Sequence, residues 1–240
     1  MKLPFGERTN LWIHRRYREL LWPNYGLHSL YLAARGRRVE PSCADLTVEG
    51  FGRSGNTYVV HALELSQQRP LRIISHFHYP IAVGRPARAG VPVCLVLRHP
   101  LDSIASYCQY SDWSPQRFID DFVAYHTYVR PYLDSICVAR FEDFTVDFNC
   151  LVRAMNGVYG PILDEVEDQN GFSDRVFRRI EARQPGGRVD ELRVHRPSEL
   201  RRRRKPEIVA DIEANYGRGM AEVMALYDVY RQRAEALQPA

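Results

Sequence analysis

The sequence predicts an α/β domain built as three layers, a central parallel sheet with helices on both faces. Short apolar runs alternate with stretches of helical periodicity between residues 45 and 140. Two of those runs end in turns that carry an arginine and hydroxyls and open a helix. Ligands of such sheets bind at the carboxyl ends of the strands, where turns of this kind lie. At 240 residues, 45% of them apolar, the chain suffices for one domain with a sizeable core.

Residues 1–44 are a basic, aromatic lead-in. Leu11 to Trp22 reads as a helix with two possible destinations. It lies on an anionic membrane surface, or it packs on the domain with its arginines in water. The core begins at Asp45. A strand over 45–51 leads to a helix near 55–67 and a short strand near 71–75. Residues 79–91 read as a loop because they are rich in Gly, Pro and Arg. A strand over 92–97, a helix near 99–109, an aromatic loop over 110–115 and a helix over 116–133 follow. Ile136–Arg140 reads as a last strand, and helices dominate beyond it. The arginine cluster between Asp190 and Lys205 reads as a solvated helix face, with the alternative that some of its arginines fold back over a bound anion. The whole chain is expected to be one domain: lead-in 1–44, ligand-binding core 45–150, helical part 151–240.

The net charge of +4 is a mild bias toward anionic ligands. Five cysteines without a C-x-x-C pair argue against a zinc site or a disulfide framework and fit a reducing compartment. No apolar run approaches the roughly 20 residues needed to cross a bilayer, and charges from Arg8 onward interrupt any signal-peptide core. The expectation is a soluble, cytoplasmic protein with no bound metal and no nucleic-acid partner.

The first turn is Gly52-Arg53-Ser54-Gly55-Asn56-Thr57-Tyr58. Free amides and the positive end of the following helix point at one spot there, which makes an anion site. Gly50–Thr57 is P-loop-like, nearly spelling G-x-x-x-x-G-K-[ST], but Asn56 stands where the lysine should be. No apolar run ending in aspartate follows to hold Mg²⁺, so ATP or GTP chemistry is disfavoured. The second turn is Leu97-Arg98-His99-Pro100-Leu101-Asp102-Ser103-Ile104-Ala105-Ser106-Tyr107. Two such turns on neighbouring strands suggest one ligand carrying two separated phosphate-like groups.

Here a resemblance can be named. Arg53-Ser54-Gly55-Asn56-Thr57-Tyr58 resembles the 5′-phosphosulfate loop, K-S-G-T-T-W, of sulfotransferases that use 3′-phosphoadenosine 5′-phosphosulfate (PAPS). Arg98 and Ser106, eight residues apart, resemble that family's 3′-phosphate motif. Ser75-His76 resembles its Thr-His, and Phe141-Glu142-Asp143-Phe144 its Tyr-Glu-Asp-Leu. The match runs in order and spacing over residues 45–150.

The resemblance implies that Arg53, the amides of residues 54–57, and the Ser54 or Thr57 hydroxyl meet charge on the leaving 5′-phosphate. Arginine in place of lysine keeps the charge but not the ready proton. Tyr58 would take the place of the adenine-facing tryptophan, and Arg98 with Ser106 would hold the 3′-phosphate. His76 would be the general base toward an acceptor hydroxyl, with His78 as its rival. Arg196 is the nearest candidate for a C-terminal residue closing over the donor. No metal is required. Arg85, Arg88, Tyr107, Tyr110 and Trp113 are candidates to line an acceptor cleft suited to a sugar or glycan. Two other readings remain open: a nucleotide or nucleoside kinase with a degenerate phosphate loop, and a non-catalytic module that binds anions or a membrane surface through the N-terminal helix.

Overall fold

The computed structural model describes residues 6–111, 113–183 and 199–237. Its sheet has four parallel strands, β1 (Leu46–Gly50), β2 (Ile73–Ser75), β3 (Val93–Leu97) and β4 (Cys137–Arg140), in the order β2-β1-β3-β4. β3 is apolar throughout and wholly buried, as a strand covered on both faces must be. Its side chains alternate between two cores. Val93, Leu95 and Leu97 join Val138 against α5 (Pro100–Tyr110), α6 (Pro115–Val129) and α11 (Gly217–Ala236). Cys94 and Val96 join Leu46, Val48, Cys137 and Ala139 against α3 (Asn56–Ser66), α8 (Asn149–Tyr159) and α9 (Phe172–Ala182). The molecule is therefore an α/β protein with helices on both faces of a parallel sheet, compatible with the expected three layers.

The register sets the site. Gly50 lies opposite Val96, and Leu97 opposite Arg140, so β1, β3 and β4 release their chains at one edge. Ser75 pairs with Val48, bringing residues 76–78 to the same edge. β1 continues into α3 on one face and β3 into α5 on the other. A crevice opens where two such connections diverge.

Three expectations need correction. Residues 79–91 are not a loop, because α4 (Ile81–Arg88) occupies their middle. Its Ile81, Ala82, Val83 and Pro86 are buried, and this apolar face outweighs the local Gly and Pro signals. The helix expected over 116–133 stops at Val129 and tightens into 3₁₀ turns over Arg130–Ser135, since Pro131 has no N–H to continue it. The N-terminal helix α1 (Glu7–Leu21) packs on α6, but not with all its arginines in water. The Arg18 guanidinium is buried against Asp120 and Asp121. α2 (Tyr25–Ala34) follows, anchored by Leu32 beside Ile74 and Ile81.

Beyond α9, the description resumes at α10 (Glu199–Asn215), whose Ile212 joins the first core and which packs on α5. Most of the arginine-rich segment lies outside the described residues. Among those residues, no helix is long and apolar enough to cross a membrane.

Candidate functional site

At the carboxyl edge of the sheet lies a cavity of about 660 Å³. It draws residues from six places: the turn after β1, the segment after β2, the start and body of α5, α7 (Phe141–Phe144) as the single helical turn after β4, α9 through Phe177, and α10 through Arg202 and Lys205. Gly55 caps the start of α3 with φ +111°, a backbone conformation that residues bearing a Cβ rarely adopt. A Cβ there would come within 2.6 Å of the Phe141 ring. At Gly52 a Cβ would run into Tyr107, so glycine lets the turn close onto α5.

Three non-glycine residues take positive φ among the described residues: Arg53 (66°), His76 (63°) and His78 (57°). All three were singled out from the sequence, and all three line the cavity. Left-handed backbone of this kind costs free energy and persists where surrounding contacts impose it. Those contacts are visible. Glu49 is wholly buried in β1 and accepts the amides of Phe77 (2.8 Å) and His78 (3.0 Å) on its two carboxylate oxygens. Burial pushes its carboxyl up to about 7, against the pull of those amides. Arg37 donates to the His76 carbonyl at 2.8 Å.

The histidines differ in orientation. His78 Nδ1 lies 3.0 Å from the Gly50 carbonyl, which can only accept, so neutral His78 carries its proton on Nδ1 and leaves Nε2 as the acceptor. Burial lowers its pKa to about 4. His76 Nε2 lies 2.9 Å from the Thr57 hydroxyl. Its pKa is lowered by desolvation first, then by His61 and Arg37. Both rings are neutral near pH 7.

The cations meet in one crevice. Arg98 Nη1 donates to the Arg53 carbonyl at 3.1 Å, and its guanidinium sits 4.5 Å over the Phe141 ring. Arg53 Nε donates to Ser106 Oγ at 3.2 Å, and its guanidinium lies 5.2 Å over Tyr110. Ser106, expected to hold a phosphate together with Arg98, accepts a hydrogen bond from Arg53. Asp102, in the first turn of α5, pairs with Lys205 of α10, and Lys205 and Arg202 both reach the cavity wall. Asn56, at the start of α3, is 3% exposed, and neither its Oδ1 nor its Nδ2 has a protein partner. Arg98 Nε and Glu142 Oε2 are likewise buried without partners, although the other Glu142 oxygen accepts the His99 amide. Buried polar groups in this state are suited to a ligand that satisfies them.

Of the residues expected from sequence, Arg53, Gly55, Asn56, Thr57, Tyr58, His76, His78, Arg98 and Ser106 line this cavity. Ser54 does not; it is buried beneath the turn. Tyr58 is buried all the same, its ring packed against Phe144, Phe148 and Phe177 in the second core. The aromatic walls come instead from Phe141, Phe177, Tyr107 and Tyr110. Three proposed acceptor residues lie elsewhere. Arg85 bonds Ser29, Arg88 covers Tyr25 and Tyr132, and Trp113 stacks with Arg117. Each found a nearer aromatic or hydroxyl partner. Arg196 falls outside the described residues.

Glu49, Arg37, Lys205 and Phe177 were missed. Glu49 had a readable signal, a carboxylate inside an otherwise strand-like run. The other three lie far along the chain from the turns they meet. Comparison with family models, with curated proteins and with solved structures finds no match for this chain.

Proposed function

We propose that this protein is a sulfotransferase with a P-loop-like nucleotide site, transferring the sulfuryl group of PAPS to an acceptor hydroxyl on a sugar or glycan. One observation carries the reading: Arg53 and Arg98, from different strand ends, share a single cavity with His76 and His78. The residues fit a doubly anionic nucleotide. Arg98 offers an unpartnered buried Nε, Asn56 an unpartnered amide, and α3 begins at the cavity with the free amides of its first turn.

In this reading Arg53, the amides opening α3 and the Thr57 hydroxyl hold the 5′ end, and Arg98 with Ser106 the 3′-phosphate. Arg53 would release Ser106 to do so. Arg202 and Lys205 supply positive charge from α10, the role first sought at Arg196. The donor supplies an activated sulfuryl group, and displacement in line with the leaving phosphate depends on positioning and on charge stabilisation. The acceptor proton passes to a histidine. His76 is opposite the phosphate turn through Thr57, while His78 has the acceptor nitrogen already oriented by Gly50. Phe141, Tyr107 and Tyr110 offer flat faces of the kind that sugars and bases use, and Gln109 adds an amide.

Thermal shift with adenosine 3′,5′-bisphosphate, ATP and ADP, with and without Mg²⁺, tests this. The bisphosphate alone should stabilise strongly, without metal, and Arg98→Ala should remove that effect. Equal stabilisation by ATP with Mg²⁺ would favour a kinase and overturn the proposal.

A further inference from the structure

The charge of this protein is unevenly placed. Residues 1–44 hold eight Lys and Arg against three Glu, a balance of +5, whereas the other 196 residues hold 25 basic and 26 acidic side chains, a balance of −1. The lead-in alone makes the chain basic. It also concentrates exposed apolar surface: Trp12, Leu20, Leu27 and Leu30 are four of the seven large apolar side chains exposed among the described residues.

Helical geometry sorts these residues. α1 buries Asn10 and Arg18. At 100° per residue the opposite side of α1 carries Arg8, Trp12, Arg15, Arg16, Glu19 and Leu20. Glu19 accepts from both Arg15 and Arg16, so that trio keeps a net positive charge, and the Arg16 guanidinium lies over Trp12. α2 buries His28 and Leu32, and its opposite side is Gly26, Leu27, Leu30, Ala33 and Ala34, with no charge at all. Arg35 and Arg38 follow directly, both exposed. An exposed apolar face bordered by arginines, with a tryptophan among them, is the composition of a surface that sits at the headgroup boundary of a bilayer.

We infer that the outward faces of α1 and α2 form a docking surface for anionic lipid membranes, on which the protein rests peripherally. Charge complementarity chooses the occupant: an anionic leaflet attracts the outward Arg8, Arg15, Arg16, Arg35 and Arg38, Arg18 being turned inward onto Asp120 and Asp121, and the acyl boundary takes Leu27, Leu30 and Trp12. A nucleic acid or other soluble polyanion would use the arginines but leave those apolar side chains in water. The inference is independent of the chemistry in the cavity.

Co-sedimentation of the full chain with phosphatidylcholine vesicles, with and without about one-third phosphatidylserine, tests it. The protein should pellet with the anionic vesicles and not with the neutral ones, and binding should weaken as ionic strength rises from about 0.05 to about 0.5 M. The double substitution Leu27→Asp with Leu30→Asp should reduce binding to the neutral-vesicle level, and Arg35→Glu with Arg38→Glu should weaken it at least several-fold. All four side chains are exposed, and far-UV circular dichroism with a cooperative thermal transition reports whether each variant is folded. Failure to pellet with anionic vesicles at low salt would overturn the inference. So would unchanged binding in both variants, tighter binding to heparin than to vesicles, or a dimer in gel filtration that the leucine substitutions dissolve.

Discussion

At His78 the backbone decides what the side chain can do. The Gly50 carbonyl holds the proton on Nδ1, Glu49 holds the amide, and Nε2 is left as the acceptor of a ring that lines the cavity. His76 shares its Nε2 with Thr57. Removing the base should slow turnover by roughly 10²–10⁴-fold while the bisphosphate shift persists. We expect His76→Ala to behave so; if instead turnover survives in His76→Ala and falls in His78→Ala, the role belongs to His78. Turnover should rise with pH and level off, because the neutral ring is the active form. Desolvation lowers both histidines, so the rise lies on the acid side of their ordinary 6.5. A rate that falls as pH climbs through that range would exclude a histidine base.

The turn between β1 and α3 is the element on which the site depends. Gly55 combines a positive φ with a close approach to Phe141, and the ring in turn carries the Arg98 guanidinium. Gly55→Ala should therefore lower stability by roughly 1–3 kcal/mol from backbone strain alone, more where Phe141 must move. Urea unfolding measures it. Phe141→Ala should recover only the part due to the ring, leaving the strain of φ in place. An unchanged unfolding midpoint in Gly55→Ala would mean that the turn relaxes freely and does not hold the anion amides in position.

For the whole molecule, buried titratable groups set the response to pH. His28, His78 and His126 are each held at about 4 by burial, below the ordinary 6.5. The unfolded chain takes up those protons first, so their contribution is complete above about pH 6.5 and is lost as pH falls toward 4. Glu49 has the opposite sign: raised from 4.5 to about 7, it favours the folded state most below 4.5 and loses that contribution as pH climbs to 7. Asp121, raised by burial against the attraction of Arg18 and Arg117, acts in the same sense as Glu49. Three histidines lowered to about 4 outweigh one glutamate raised to about 7, with Asp121 adding to the glutamate's side. Tm should fall on acidification from pH 6.5 to 4, and Glu49→Gln should steepen that fall. A Tm that climbs over this range would refute the balance.

The strands and the two helix-opening turns that carry Arg53 and Arg98 were legible in the sequence, because apolar period, glycine placement and helix starts act over a few residues. α4 was not, since its helix rests on burial against the sheet and not on local propensity. Nor was the partner of Ser106, the brace that Glu49 gives the histidines, or the arrival of Lys205 at Asp102. Those contacts join segments tens to a hundred residues apart, and only the strand order β2-β1-β3-β4 and its register bring them together. The chain by itself determined where arginines, hydroxyls and helix starts coincide; the tertiary structure decided that they open onto one cavity, because parallel strands in register release their turns at a common edge.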